Sequence, residues 1–230
     1  MKNILKKTVI VILFFSYQFN YAQSINLKDP NVIIKDDKGN IQNYEWATEL
    51  LKKGSVSMRH NTNTKGKKEI TLYLISNEEL IKSKIQEENF VSNLKDKNFP
   101  EYNLTTLEGN KISNKDIKGK IVVYNFWFTS CAPCIAEMPE LNKLVEKYKD
   151  NKNIVFLAPT FEKNEEIKKF LKRKNFNFKI LQNSKQLDKQ LEIQSWPTTI
   201  IADNEGMIKE IIISGENIFE KIDQYIKNNI

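Results

Sequence analysis

The run Ile121-Val-Val-Tyr-Asn-Phe-Trp-Phe128 leads without a break into Thr129-Ser-Cys131-Ala-Pro-Cys134. A strand with one face in water alternates apolar and polar residues. This run is apolar at nearly every position, so it suits a strand buried on both faces, the kind found in a sheet with helices on each side. Beyond the cysteines, Ile135, Met138, Leu141, Leu144, Val145 and Tyr148 recur at helical spacing. The predicted order is buried strand, dithiol, helix. These are the only two cysteines in 230 residues. That excludes a disulfide framework and a four-thiolate metal site.

A dithiol at the start of a helix has a specific chemistry. The thiolate is the attacking form in disulfide exchange, and unpaired N–H groups with the positive dipole end favour an anion there. Cys131 is therefore expected to attack. Cys134, one turn on, is expected to resolve the mixed disulfide. Pro133 falls in the first turn, where its missing N–H costs little. Two blander readings compete with this one. A zinc site needs two further ligands, and the one histidine, His60, lies far off in a polar stretch. A purely structural bridge over two residues closes a tiny loop and stabilises little.

The rest of the second half alternates regularly. A hairpin is expected at Tyr102–Leu107 and Lys111–Ile112, and a buried strand at Ile154–Ala158. A helix at Asn164–Lys174, a strand at Phe176–Leu181 and a short helix at Ser184–Leu191 follow. A hairpin at Thr198–Ala202 and Ile208–Ile213 and a last helix at Asn217–Ile230 close the chain. This is an α/β chain with a mixed central sheet flanked by helices.

Residues 23–95 read as a small α+β module of unassigned role. A hairpin is expected around Asp36-Asp-Lys-Gly-Asn40. A helix should run from Tyr44 to Lys53 with Gly54 as its C-cap, and Asn61–Lys68 should be a polar loop holding His60 nearby. A strand at Ile70–Ile75 and a helix from Asn77 complete it. The domain division expected is 1–22, 23–95 and 96–230.

Residues 1–22 have the layout of a secretory signal peptide: a basic start with Lys2, Lys6 and Lys7, an apolar core from Thr8 to Phe15, and Ala22 before a cut. That core is shorter than the roughly 20 residues of a spanning helix, so an uncleaved anchor is the lesser alternative. Removing the three lysines takes the formal charge from +7 to +4, too mild an excess to mark a nucleic-acid binder. The mature chain is expected to be exported and periplasmic. There a lone dithiol is driven to disulfide unless something reduces it.

Asn125-Phe-Trp-Phe-Thr-Ser-Cys-Ala-Pro-Cys134, then Glu137-Met-Pro139 and Trp196-Pro-Thr-Thr199, resemble the thioredoxin fold. Within it, the stretch from about Phe99 onward is most similar to the TlpA/ResA-like branch of exported thiol-disulfide oxidoreductases in the redoxin group. The resemblance implies that Pro197 is the cis-proline beside the dithiol. It implies that Trp196, Thr198, Trp127 and Pro133 shape the groove where a client docks. Glu137 matches the branch's acidic residue one turn past the second cysteine, a candidate acid or base for Cys134; the alternative is a first-turn Glu that complements the dipole. Asn125 stands where thioredoxins carry a buried acid.

Two departures stand out. Ser130 replaces a Trp common before the first cysteine, which would open Cys131 to solvent; Ser130 could instead cap the helix. Trp196 stands where relatives carry a smaller residue. Ala132-Pro133 brings no charge, which suggests a reducing rather than strongly oxidising couple. The implied activity is reduction of disulfides in client proteins, apocytochrome c being one client known for the family. A membrane-borne thiol reductant would restore the enzyme, since no nicotinamide or flavin motif is visible and no cofactor or metal is expected. Two alternatives stay open. One is a peroxiredoxin-like peroxidase, though its Pro-x-x-x-Thr-x-x-Cys context is absent. The other is a non-enzymatic metal-delivery or binding module.

Overall fold

The computed structural model describes residues 30–52, 56–63, 67–213 and 217–230. The leader expected at 1–22 and the cap expected at Gly54 lie outside the described residues. The chain divides into two compact units, one ending at Gln86 and one beginning at Glu87. No helix among the described residues is long and apolar enough to cross a membrane.

The first unit holds β1 (Val32–Lys35), β2 (Ile41–Gln42), α1 (Tyr44–Lys52), β3 (Val56–Thr62) and β4 (Lys68–Leu74), and α2 (Asn77–Leu94) starts in it. Its sheet runs β2-β1-β4-β3. The β1–β2 turn is closed by Asp36, whose carboxylate accepts from the N–H of Lys38 at 3.0 Å and of Asn40 at 2.8 Å. A small core gathers Ile34, Ala47, Val56, Ile70 and Leu72. The polar loop expected at 61–68 gives way to strand at both of its ends, and its residues 64–66 lie outside the described residues. Asn61 and Thr62 finish β3, Lys68 starts β4, and His60 sits in β3 opposite Ile70 rather than in a loop. β3 has no apolar alternation to announce it. Pairing with β4 along its whole length holds it as a strand.

The second unit contains β5 (Asn103–Thr106), β6 (Lys111–Ser113), β7 (Ile121–Phe126), α3 (Ala132–Tyr148), β8 (Ile154–Pro159) and α4 (Asn164–Leu171). It continues with β9 (Lys179–Gln182), α5 (Lys185–Gln190), β10 (Thr198–Ala202), β11 (Ile208–Ile213) and α6 (Ile218–Asn229). The seven strands run β11-β10-β7-β8-β9-β5-β6. β7 is buried at all six positions, between parallel β8 and antiparallel β10. Its side chains divide by parity, as a pleat requires. Ile121 and Val123 join Met138, Leu141, Leu144 and Ile222 on one face, while Val122, Tyr124 and Phe126 join Phe99, Leu187 and Leu191 on the other.

Some boundaries moved. The strand expected at Phe176–Leu181 starts at Lys179, because Phe176 and Phe178 are buried by packing against Trp127 and Phe156, not by strand pairing. The first hairpin joins the main sheet through β5 against β9. α3 and α6 are tied at Asp223. Its carboxylate accepts from Tyr148 Oη at 2.6 Å, from Lys227 Nζ at 2.8 Å and from Lys147 Nζ. Burial works to raise its pKa, yet these donors hold it well below the usual carboxylate range.

Candidate active site

β7 ends at Phe126 and α3 begins at Ala132, so five residues carry the chain from the middle of the sheet to the helix. Cys131 is the N-cap of α3, with extended backbone. It is bonded to Cys134 as a disulfide, with a Cα–Cα separation of 5.3 Å. Cys131 Sγ accepts the N–H of Cys134 at 3.3 Å, and its carbonyl accepts the N–H of Ile135 at 3.0 Å. The sulfur of Cys131 thus lies against the helix N–H groups that stabilise a thiolate once the bridge opens. Cys134 lies inside the first turn.

The cap is Cys131 itself and not Ser130, which is exposed just ahead of it. The missing aromatic shield does not open Cys131 either. In the bridged form Cys131 is 3% exposed and Cys134 1%. Glu137 is buried at 4% exposure on the α3 face that also buries Pro133, Cys134 and Met138.

The Trp196–Pro197 peptide bond is cis, and Thr198, just after it, pairs with Phe126 at the end of β7. Thr198 is buried, and its Oγ1 donates to the Ser195 carbonyl at 2.7 Å. Its side chain therefore shapes the loop from within rather than meeting a client. Trp127 does not line the groove at all. It is fully buried between Phe170 and Phe176, with Nε1 donating to the Ala158 carbonyl at 3.3 Å, so it supports the site from the core. The residue before β7 ends, Asn125, is buried and donates through Nδ2 to Thr199 Oγ1 at 3.0 Å.

The surface beside the dithiol is aromatic. Phe128, Phe161 and Trp196 form a triangle with ring centroids 5.6 to 5.8 Å apart. All three are half-buried. Trp196 and Phe161 also line an open hollow of about 370 Å³, with Ile193 and with Lys185, Asp188 and Lys189 among its polar residues. Burial pushes the Asp188 carboxyl up to about 6. Phe161 and Asp188 were not legible as site residues from sequence. Phe161 follows the C-terminal end of β8, and that end of a parallel strand is where α/β sheets place their sites. Among the described residues no cluster of His, Cys, Asp and Glu could hold a metal ion.

A buried strand, a bridged Cys-x-x-Cys at a helix N-terminus and a proline loop pairing into the same strand define a thioredoxin-like redox protein. The AhpC/TSA family profile matches residues 96–211. The chain is 40% identical to the thioredoxin-like protein YneN of Bacillus subtilis over 114 residues, 49% of this chain and 67% of that one. It is 34% identical to the thiol-disulfide oxidoreductase ResA of Bacillus thuringiensis over 132 residues, 57% of this chain and 76% of that one. A solved thiol-disulfide oxidoreductase from Bacteroides fragilis superposes with a TM-score of 0.51 at 26% identity, covering 56% of this chain and 99% of that one. The chain belongs to the AhpC/TSA family, and its relatives place it with the ResA-like oxidoreductases. It is an oxidoreductase of the thioredoxin fold.

Proposed function

We propose that the chain is an exported enzyme that reduces disulfides in client proteins through Cys131 and Cys134. The observation that carries this is the bridged pair with its first sulfur capping α3. Export is supported by the basic start and apolar core of residues 1–22.

In the reduced enzyme the Cys131 thiolate attacks one sulfur of the client disulfide. A Cys131–client bond forms, the client bond breaks, and the departing client thiolate takes a proton. Cys134 then gives up its proton, attacks Cys131 Sγ, and forms the bridge seen here. The second client thiol leaves. The client gains two electrons from the two cysteines and two protons, one given up by Cys134 and the other from solvent, which took it when Cys131 ionised. Glu137, buried on the same helix face, is the group we assign to receive the Cys134 proton. Return to the dithiol needs a membrane-borne thiol reductant. Pro197, after the cis bond, and half-buried Trp196 are the residues we assign to meet the client, together with Pro133 in the first turn of α3. Apocytochrome c is one client that suits this chemistry.

A Cys134→Ser variant should hold clients as mixed disulfides on Cys131, recovered by non-reducing separation and mass spectrometry. A free Cys131 thiol with no adducts, in the presence of oxidised clients, would refute protein-disulfide exchange. For Glu137, substitution by Gln should slow the resolving step by about 10²-fold and flatten its pH dependence, while the first attack stays unchanged. Single-turnover kinetics from pH 5 to 9 measure both steps. An unaltered resolving step would confine Glu137 to a structural place.

A further inference from the structure

Three loops meet around the dithiol, and one carboxylate ties two of them. Glu162, in the loop after β8, accepts the backbone N–H of Thr129 through Oε2 at 2.7 Å and the Thr129 hydroxyl through Oε1 at 2.8 Å. Thr129 is two residues before Cys131, in the irregular segment that carries the chain from β7 into α3. The neighbouring pair repeats the join in apolar form: Phe128 and Phe161 are 5.6 Å apart, and Trp196 of the proline loop touches both. Glu162 is itself fixed. Its N–H donates to Thr160 Oγ1 at 3.3 Å and its carbonyl accepts from Asn183 N–H at 3.2 Å.

The segment 127–131 has few other anchors. Trp127 N–H reaches the Pro159 carbonyl at 3.3 Å, and Cys131 N–H reaches the Phe128 carbonyl at 3.1 Å. Neither restrains Thr129 or Ser130. Two charge-assisted bonds of these lengths are stronger than neutral ones and fix both position and direction. Disulfide exchange requires three sulfurs in line, so a small shift of the attacking one is costly.

We propose that Glu162 is a positioning residue for the nucleophile: by clamping Thr129 it sets where Cys131 Sγ stands relative to an incoming disulfide. It touches no reacting atom. The inference rests on the exchange reading above, but its failure is separable from that reading's failure.

The design is a comparison of Glu162→Gln with Glu162→Ala in the full chain. A glutamine can still accept the Thr129 N–H through its amide oxygen. It can also donate to the Thr129 hydroxyl, which then accepts. The clamp survives without its charge. Alanine removes it. With a cystine-bridged model peptide as substrate, Glu162→Ala should reduce about 10-fold more slowly, and Glu162→Gln within about 3-fold of the parent chain. Thr129→Val, which loses only the hydroxyl bond, should fall between. Amide exchange at Thr129, read by NMR, should speed up in Glu162→Ala and stay slow in Glu162→Gln. A Glu162→Ala chain at parental rate overturns the proposal, as does a Glu162→Gln chain as slow as the alanine variant. If Glu162→Ala does not fold, Glu162→Gln and Thr129→Val decide by the same criteria. A parent chain that leaves the peptide oxidised would instead count against the exchange reading.

Discussion

Replacing Cys131 with Ser is expected to lower disulfide exchange by roughly 10⁴-fold or more while leaving the second unit folded. A serine hydroxyl at neutral pH is neither ionised nor able to form a sulfur–sulfur bond, so the first half of the reaction is lost outright. The remaining thiol, Cys134, lies inside the first turn rather than at the cap, away from the place where Cys131 Sγ accepts a helix N–H, so it is a poor substitute for the attack. The packing cost is small, since the side chains differ by one atom and the Cys134 N–H that the sulfur accepts at 3.3 Å can be accepted by an oxygen. Reduction of a bridged peptide by the variant, with Cys131→Ser and Cys134→Ser measured side by side, checks this. Cys134→Ser should complete the first attack and stop; Cys131→Ser should do neither. If Cys131→Ser kept a tenth of the parental rate, the order of attack assigned here would be reversed. Hydrogen peroxide as oxidant in the same assay separates exchange from peroxidase chemistry, whose Pro-x-x-x-Thr-x-x-Cys context this chain lacks: Tyr124 and Phe128 occupy those places.

The dithiol and its helix were legible because their signals are local. Eight adjacent residues announced β7, and the stripe from Ile135 to Tyr148 announced α3, which runs from Ala132 to Tyr148. β10 and β11 were equally clear, two isoleucine-rich segments on either side of a turn. What stayed hidden depends on residues far apart in the chain. Glu162 meets Thr129 across 33 positions and reads in sequence as one more acid before a helix. Asp223 meets Tyr148 across 75. β3 is polar along most of its length and is a strand because β4 lies beside it. Trp127 misled in the other direction. Beside a reactive dithiol an aromatic ring suggests a groove wall, but residue parity in β7 turns it inward with Val123. The two tryptophans near the site thus divide the work. Trp196 is half-buried and faces the hollow, and Trp127 is core.

That division predicts opposite outcomes for the two rings, and the larger is Trp127→Ala, expected to destabilise the second unit by about 4 kcal/mol. A fully buried indole removes on the order of 200 Å² of surface from water, and alanine returns most of that as a cavity. Phe170 at 5.3 Å and Phe176 at 5.4 Å lose the ring they pack against, and the second of these meets it edge-on at 82°. The Ala158 carbonyl loses its indole donor as well, in a central strand where water has no access. Partial collapse of α4 toward β7 can recover some of the loss, so the cost falls inside the usual range for large aromatic truncations and not at its top. Because the chain has two compact units, one melting midpoint does not describe it. Hydrogen exchange at β7 and β8 amides, in denaturant, reads the second unit alone. Trp127→Phe should cost about 1–2 kcal/mol, since it keeps the aromatic contact and loses the N–H bond. A loss below about 1.5 kcal/mol for Trp127→Ala would mean that the ring is not the support of β7 that its burial implies. Trp127 opens the segment that carries Cys131, so the geometry of that segment would then rest on the Glu162 clamp, the aromatic triangle and the backbone bonds to Pro159 and Phe128.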